Sequence, residues 1–249
     1  MAKFEVIHHQ LEGGNSPGIA QKLHYLRQSG VTLKQVKITL EDDEITTEQG
    51  ALHYMHGRIE ARAKAPSVGG LLKSQLTGET IIRPTYKGRG VVYLEPTFSH
   101  IVLYALENGA IVVDKGIYYA SSSGVKVDIE IIKSISGAVL GGEGLFQTKL
   151  TGTGTVALVS PVPEKELHKI TLNNEKLSVD GSFAILRSGN LNFRVERSTK
   201  GLFGSAMSGE GLLQTFEGTG AVWLAPFKSV YDSLEHGFVP TVAAGKHPG

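Results

Sequence analysis

Apolar and polar positions alternate with a period of two through most of the chain, in short runs closed by glycine, proline, asparagine or aspartate. That is the pattern of half-buried β-strands. It predicts strands at Phe4–His8, Val36–Leu40, Ala51–Met55, Arg58–Ala63, Ile81–Pro84, Ile101–Ala105, Val125–Ile131, His168–Leu172, Leu191–Glu196 and Leu213–Phe216. Runs rich in β-branched or aromatic residues add Val91–Leu94, Ile117–Ala120, Phe146–Leu150, Val156–Val159, Phe183–Arg187 and Ala221–Leu224. Helical spacing is confined to Pro17–Ser29, with Ile19, Leu23 and Leu26 on one side of a helical turn or long loop, and to a short stretch in the tail at Ser229–Gly237. The last residues, TVAAGKHPG, read as frayed. Many short strands with glycine turns and few helices define an all-β protein: a sandwich, barrel, prism or β-helix.

The strand pattern repeats. Three segments share one grammar: GETIIRPTYKGRGVVYLEP from Gly78, GEGLFQTKLTGTGTVALVSP from Gly142 and GEGLLQTFEGTGAVWLAP from Gly209. In each, a Gly-Glu pair opens a strand, a Gly-x-Gly turn follows (Gly88/Gly90, Gly152/Gly154, Gly218/Gly220), and an apolar strand ends at Pro96, Pro161 or Pro226, 65 residues apart. A second shared element precedes each segment and pivots on Gly50, Gly116 and Gly181. Self-similarity at a fixed period indicates stacked or symmetric units. The reading is three tandem repeats of about 65 residues (36–96, 101–161 and 167–226) in a pseudo-threefold arrangement, double-stranded β-helix, attenuator-like or β-prism-like, with residues 1–227 one all-β domain and 228–249 a tail.

Glycine crowding around a threonine also suggests a phosphate loop, but such a loop needs a helix after its glycines and a lysine-serine pair. Here strands flank the glycines and neither feature is present. The expected role is to supply positive φ at a tight hairpin or bulge, forming three equivalent corners.

Composition narrows function mostly by exclusion. The 249 residues carry 25 lysines and arginines against 24 acids, a formal charge of +1, with no basic stripe to hold a phosphate backbone, so nucleic acid is not an expected partner. With no cysteine there is no disulfide, thiolate metal site or cysteine nucleophile. No run reaches the roughly 20 apolar residues of a membrane span, and the start has neither a signal-peptide nor a transit-peptide pattern. The expectation is a cytoplasmic protein.

Three groups of residues carry a family resemblance. The Gly209–Pro226 segment, the Gly50–Met55 corner (GALHYM) and the opening Lys3–Val6 strand (KFEV) together resemble the altered-inheritance-of-mitochondria, or mitochondrial biogenesis, family over about residues 3–226. Two departures stand out: Glu12–Thr32 looks inserted, and the second loop at Pro66–Leu72 is weaker in aromatic residues and glycine. The resemblance implies a fold similar to the tryptophan-RNA-attenuator-like variant of the double-stranded β-helix, with a tendency to assemble. It implies no enzyme, since the family carries no assigned catalytic residues. Eukaryotic members are linked to mitochondrial inner-membrane organisation; this chain, lacking a transit peptide, looks like a prokaryotic member. Peripheral membrane association has only the family link behind it, with no basic amphipathic helix in support.

The remaining polar constellations are read first as structural. His53 and His56 are three apart, so on a strand they face opposite sides and share one ion only if the chain turns between them, near Gly57; His8 and His9 are adjacent on a strand and fail for the same reason. Glu79, Glu143 and Glu210 recur at one repeat position, where they accept backbone N–H bonds at their glycine corners or, alternatively, gather around an axis to bind a cation. The acidic Glu41–Glu44 run reads as a solvated hairpin turn, and Ser121–Ser123 has no activating base near it in sequence. Phe227, Val230, Tyr231 and Phe238 could cover a strand edge or bind a partner. No catalytic residue, cofactor or metal ligand is assigned. The expected function is a non-enzymatic scaffold or interaction protein, a homo-oligomer or one with a protein partner; the alternative is a small-ligand-binding protein or enzyme with a pocket between repeats.

Overall fold

The computed structural model describes residues 1–63, 83–132, 145–180, 183–197 and 212–235. Within them lie β1 (Lys3–His9), α1 (Pro17–Gln28), β2 (Leu33–Thr47), β3 (Leu52–Ala63), β4 (Pro84–Leu94), β5 (His100–Val113), β6 (Tyr118–Ser122) and β7 (Val125–Ile132). After these come β8 (Leu145–Ser160), a 3-10 turn at Glu164–Glu166, β9 (His168–Asp180), β10 (Ala184–Arg197), β11 (Leu212–Leu224) and α2 (Lys228–Glu235). The protein is all-β. Its strands form one large antiparallel sheet in the order β3-β4-β2-β6-β8-β5-β10-β11-β9, with β1 pairing β2 and β7 pairing β8 outside that path.

Local grammar explains the central strands. β4 runs between β2 and β3, β8 between β5 and the β6–β7 pair, and β11 between β9 and β10. Each carries a Gly-x-Gly motif; the expected positive φ is found at five of the six glycines, and only the expected turn is corrected. Gly88/Gly90, Gly152/Gly154 and Gly218/Gly220 are not hairpin turns; they sit inside strands that run on through them. The predicted short strands on either side are therefore halves of one long strand. The glycines are needed because the neighbouring backbone passes too close for a side chain: a Cβ at Gly90 would collide with the His56 carbonyl oxygen, and one at Gly220 with that of Ser188.

The acidic run Glu41–Glu44 is a second correction. It is no hairpin turn but the middle of β2, where the register against β4 skips between Glu41 and Asp43. Asp42 takes a left-handed φ of 56°, as do Asn108 in β5 at 44° and Asn174 in β9 at 56°, each 66 residues from the next. Aspartate and asparagine tolerate that conformation better than other residues with a Cβ, so these three positions bend their strands opposite the glycines.

Burial follows the alternation. One apolar cluster packs Phe4, Val36, Ile38, Leu40, Ile45, Tyr86, Val92 and Leu94 with Ala120 and Ala157. A second gathers Val102, Ile111, Val113, Tyr118, Leu150, Val156 and Leu158 and takes in Ile185, Leu186 and Ala225 from farther along the chain. A third holds Leu172, Val179, Ala184, Phe216, Val222 and Leu224.

The Pro17–Ser29 stretch is a helix. Ser16 caps it, its Oγ accepting the Ile19 amide at 3.3 Å, Pro17 occupies the first turn, and Leu23 is its buried residue. No described helix is long and apolar enough to cross a membrane. Glu79, Glu143, Glu210, Gly181, Phe238 and the Pro66–Leu72 loop lie outside the described residues.

Candidate functional site

The long sheet is held together at two narrow seams, and these gather the most constrained polar chemistry in the described residues. At the first, β2 meets β6 over three pairs: Ile45 opposite Ser122, Thr46 opposite Ser121, and Thr47 opposite Ala120. The Tyr118 hydroxyl donates to the Thr46 carbonyl at 2.9 Å and lies 3.0 Å from Ser121 Oγ. Arg83 stacks over the Tyr118 ring at 5.4 Å, donates to Thr148 Oγ1 at 3.1 Å and brings its Nε 3.4 Å from Glu48 Oε2. Burial drives the Tyr118 phenol far above its ordinary range, so it stays a protonated donor.

At the second seam β5 meets β10, again over three pairs: Ile111 opposite Ser188, Val112 opposite Arg187, and Val113 opposite Leu186. Arg187 is buried. It donates to Glu130 Oε1 at 2.6 Å and to the Gln147 side-chain oxygen, and its guanidinium lies 4.6 Å from the Phe193 ring. Gln147 in turn donates to Asp114 Oδ1 at 3.4 Å. Burial pulls the Arg187 value down while Glu130 and Asp114 push it back up, and arginine's high starting value leaves it charged.

The two seams share a register. Ile45–Thr47 and Ile111–Val113 lie 66 residues apart, and so do Ala120–Ser122 and Leu186–Ser188. The next step of 66 from the first set falls on Leu177–Val179 of β9, and the step back from the second falls on Tyr54–His56 of β3. These are the two ends of the sheet path, and among the described residues no strand pairs with the outer edge of either. Tyr54 and Met55 are 47% and 38% exposed, whereas Ala120 and Ser121 are 0% exposed. Tyr54 stacks on Tyr93 at 4.4 Å between ring centroids, which fixes its ring on the β3 surface.

Of the histidines singled out from the sequence, His9 and His53 meet on one glutamine, while His8 and His56 lie apart from them. Gln35 is buried and donates through its side-chain amide to His53 Nδ1 at 3.0 Å and to the Leu94 carbonyl at 2.9 Å, while His9 Nε2 lies 3.1 Å from its oxygen. His8 pairs with Thr32 at 2.9 Å, and His56 is exposed on β3. Among the described residues no three histidine or acidic side chains converge as metal ligands. The serines are committed to structure: Ser121 to Tyr118, Ser122 to the Thr155 amide and Ser123 to Asp43. In the tail, the Tyr231 hydroxyl donates to Glu166 at 2.9 Å, with Phe227, Val230 and Leu234 exposed around it. A cavity of about 20 Å³ under α1, lined by residues that include Leu23, Leu26 and Phe98, holds little more than one water.

Arg83, Tyr118, Arg187, Glu130 and Gln147 did not register as candidates in the sequence. One signal was there to be read: Arg187 follows directly on the apolar run Phe183–Leu186, and a charge that continues a core segment calls for a partner.

Comparison with known proteins places the chain. The model of the mitochondrial biogenesis AIM24 family matches residues 26–227, which takes in β2 through β11. The chain belongs to the AIM24 family. The Lys3–Val6 strand and most of α1 lie before the matched segment. This AIM24 chain is also 24% identical over 234 residues, 89% of its own length and 91% of the other's, to an uncharacterized protein of Streptococcus pyogenes serotype M6. A crystal structure of a protein from Streptococcus pyogenes superposes with a TM-score of 0.63 at 21% identity, over 95% of this chain and 99% of that one, a likeness of fold.

Proposed function

We propose that this AIM24-family protein is a non-enzymatic scaffold that assembles through its β-structure. In this reading residues 1–227 are one domain of three like units, 36–96, 101–161 and 167–226, each a group of three or four strands around a central Gly-x-Gly strand. The units are joined edge to edge in an attenuator-like array. The observation that carries it is the pair of seams: the same three-residue register, 66 residues apart, joins β2 to β6 and β5 to β10. The 66-residue spacing of Asp42, Asn108 and Asn174 supports the same division. Joining by short seams is how repeat proteins couple neighbours, and it leaves end surfaces of the kind that assemblies use. Side chains occupy both seams, Arg83 against the buried Tyr118 and the buried Arg187 against Glu130, which speaks against a ligand pocket there.

Native mass spectrometry of the untagged protein tests this. A discrete oligomer of bare chains is expected; a stoichiometric small molecule retained at one site per chain would overturn the scaffold reading in favour of a ligand-binding protein.

A further inference from the structure

We infer that the outer edge of β9 in one molecule pairs with the outer edge of β3 in a second copy of the same chain. The pairing is antiparallel and head to tail: Leu177 opposite His56, Ser178 opposite Met55, and Val179 opposite Tyr54. The inference rests on the scaffold reading and names the surface and register by which the scaffold assembles.

The register comes from the two seams already formed. At the first, residues 45, 46 and 47 face 122, 121 and 120; at the second, 111, 112 and 113 face 188, 187 and 186. One further step brings the β9 residues 177, 178 and 179 against residues at the β3 positions 56, 55 and 54. Backbone detail agrees. Beside each seam position the register of the strand skips one residue, His53 in β3, Tyr119 in β6 and Ile185 in β10, all 66 apart. The β3 edge is thus shaped as β6 and β10 are shaped where they accept a partner.

Burial identifies the same residues independently. Ala120, Ser121 and Ser122 are at most 1% exposed and Leu186 and Arg187 at most 7%, but Tyr54, Met55 and His56 are all exposed. On the other edge, Ile45 and Ile111 are fully buried while Leu177, which stands in their place, is half-buried; Ser178 is exposed where Val112 is buried. The deficit falls on all three seam positions of β3 and on two of the three in β9, where Val179 is already buried within its own strand group. An exposed edge with free backbone donors and acceptors is a template for strand addition. A second copy is the occupant because it carries both halves of the seam in register. The two edges differ, so the contact is heterologous and each added copy offers a fresh edge until the ring closes, giving a cyclic oligomer rather than a two-fold dimer.

Opposed charges test the register, since Met55 and Ser178 face each other only in this pairing and both are exposed in the single chain. Three full-length proteins are compared by native mass spectrometry and light scattering: wild type, Met55→Lys with Ser178→Lys, and Met55→Lys with Ser178→Asp. Wild type is expected as a cyclic oligomer. The Lys/Lys protein should associate at least about fivefold more weakly, and the Lys/Asp protein should recover, because like charges directly opposite are destabilising and opposite charges favourable. Circular dichroism establishes that the variants fold. Should either fail, hydrogen exchange on wild type decides: amides of residues 54–56 and 177–179 are expected to gain protection as concentration rises. An oligomer whose mass and stability are the same in all three proteins, or whose edge amides exchange fast at every concentration, overturns this seam and leaves the scaffold reading standing. A wild-type monomer at high concentration overturns both.

Discussion

At Gly90 and Gly50 the same residue type answers two different demands. Gly90 has φ 154° with the His56 carbonyl where a side chain would go, while Gly50 has φ 77° and open space around it. Gly90→Ala is therefore expected to cost about 3–4 kcal/mol through collision and backbone shift. Gly50→Ala should cost about 1–2 kcal/mol, the strain of a left-handed conformation alone. Urea unfolding of both variants checks the difference; equal losses would mean that the crossing strands do not approach as closely as described. His100 is the second residue-scale case. Burial lowers its value below the ordinary 6.5, the nearby Lys34 lowers it further, and Glu166 opposes them. The unfolded chain therefore takes up a proton at a higher pH than the folded one. The contribution to stability is present above pH 6.5 and is lost as pH falls through the folded-state value. His100→Asn should flatten the fall in stability below that pH, and an unchanged pH profile would rule the group out as a source of acid sensitivity.

Among the elements, the seams are where a single side chain is asked to do most. Arg187 joins β10 to Glu130 of β7 and Gln147 of β8, and its side chain is 8% exposed against 32% for Glu130. Arg187→Ala is expected to cost about 3 kcal/mol, because a buried charge network loses the partner it was built around. Arg187→Met combined with Glu130→Leu should recover much of that loss. Chemical denaturation of the two variants decides, and a neutral Arg187→Ala would show that the strand pairing alone holds the seam. The strands on either side of such seams were legible in the sequence as alternating runs. What the sequence left open was whether Gly88/Gly90 and their counterparts end a strand or bend it. A turn and a close backbone crossing both require glycine, and only the identity of the pairing partner separates them. The Glu41–Glu44 run misled for a similar reason, since aspartate with positive φ serves a hairpin and a bulge alike. The 66-residue spacing of Asp42, Asn108 and Asn174 was a readable clue to the bulge. The exposed edge of β3 was not readable at all, because Tyr54 and Met55 look like any half-buried strand until its neighbours are known.

For the molecule as a whole, the division of the core governs how it comes apart. The first and second clusters meet where Ala120 and Ala157 pack against β2 and β4, and the second takes in Ile185, Leu186 and Ala225 from the third group of strands. Among the described residues the third cluster, around Phe216 and Val222, draws on β9, β10 and β11 and the residues beside them. Each cluster is thus coupled chiefly to the next, and where packing is confined to neighbours stability is a sum of local terms and nearest-neighbour terms. Phe216 is 2% exposed, and Phe216→Ala removes a large buried side chain at a cost of about 3–5 kcal/mol. In a chain coupled through short seams that loss should fall unevenly. Native-state hydrogen exchange is expected to show β9–β11 amides losing protection most, β5 and β8 less, and β2–β4 least, because sub-global opening follows the cooperative unit that was weakened. A uniform loss across all the strands would mean that the sheet unfolds as one body, and that the seams transmit stability as fully as the core does.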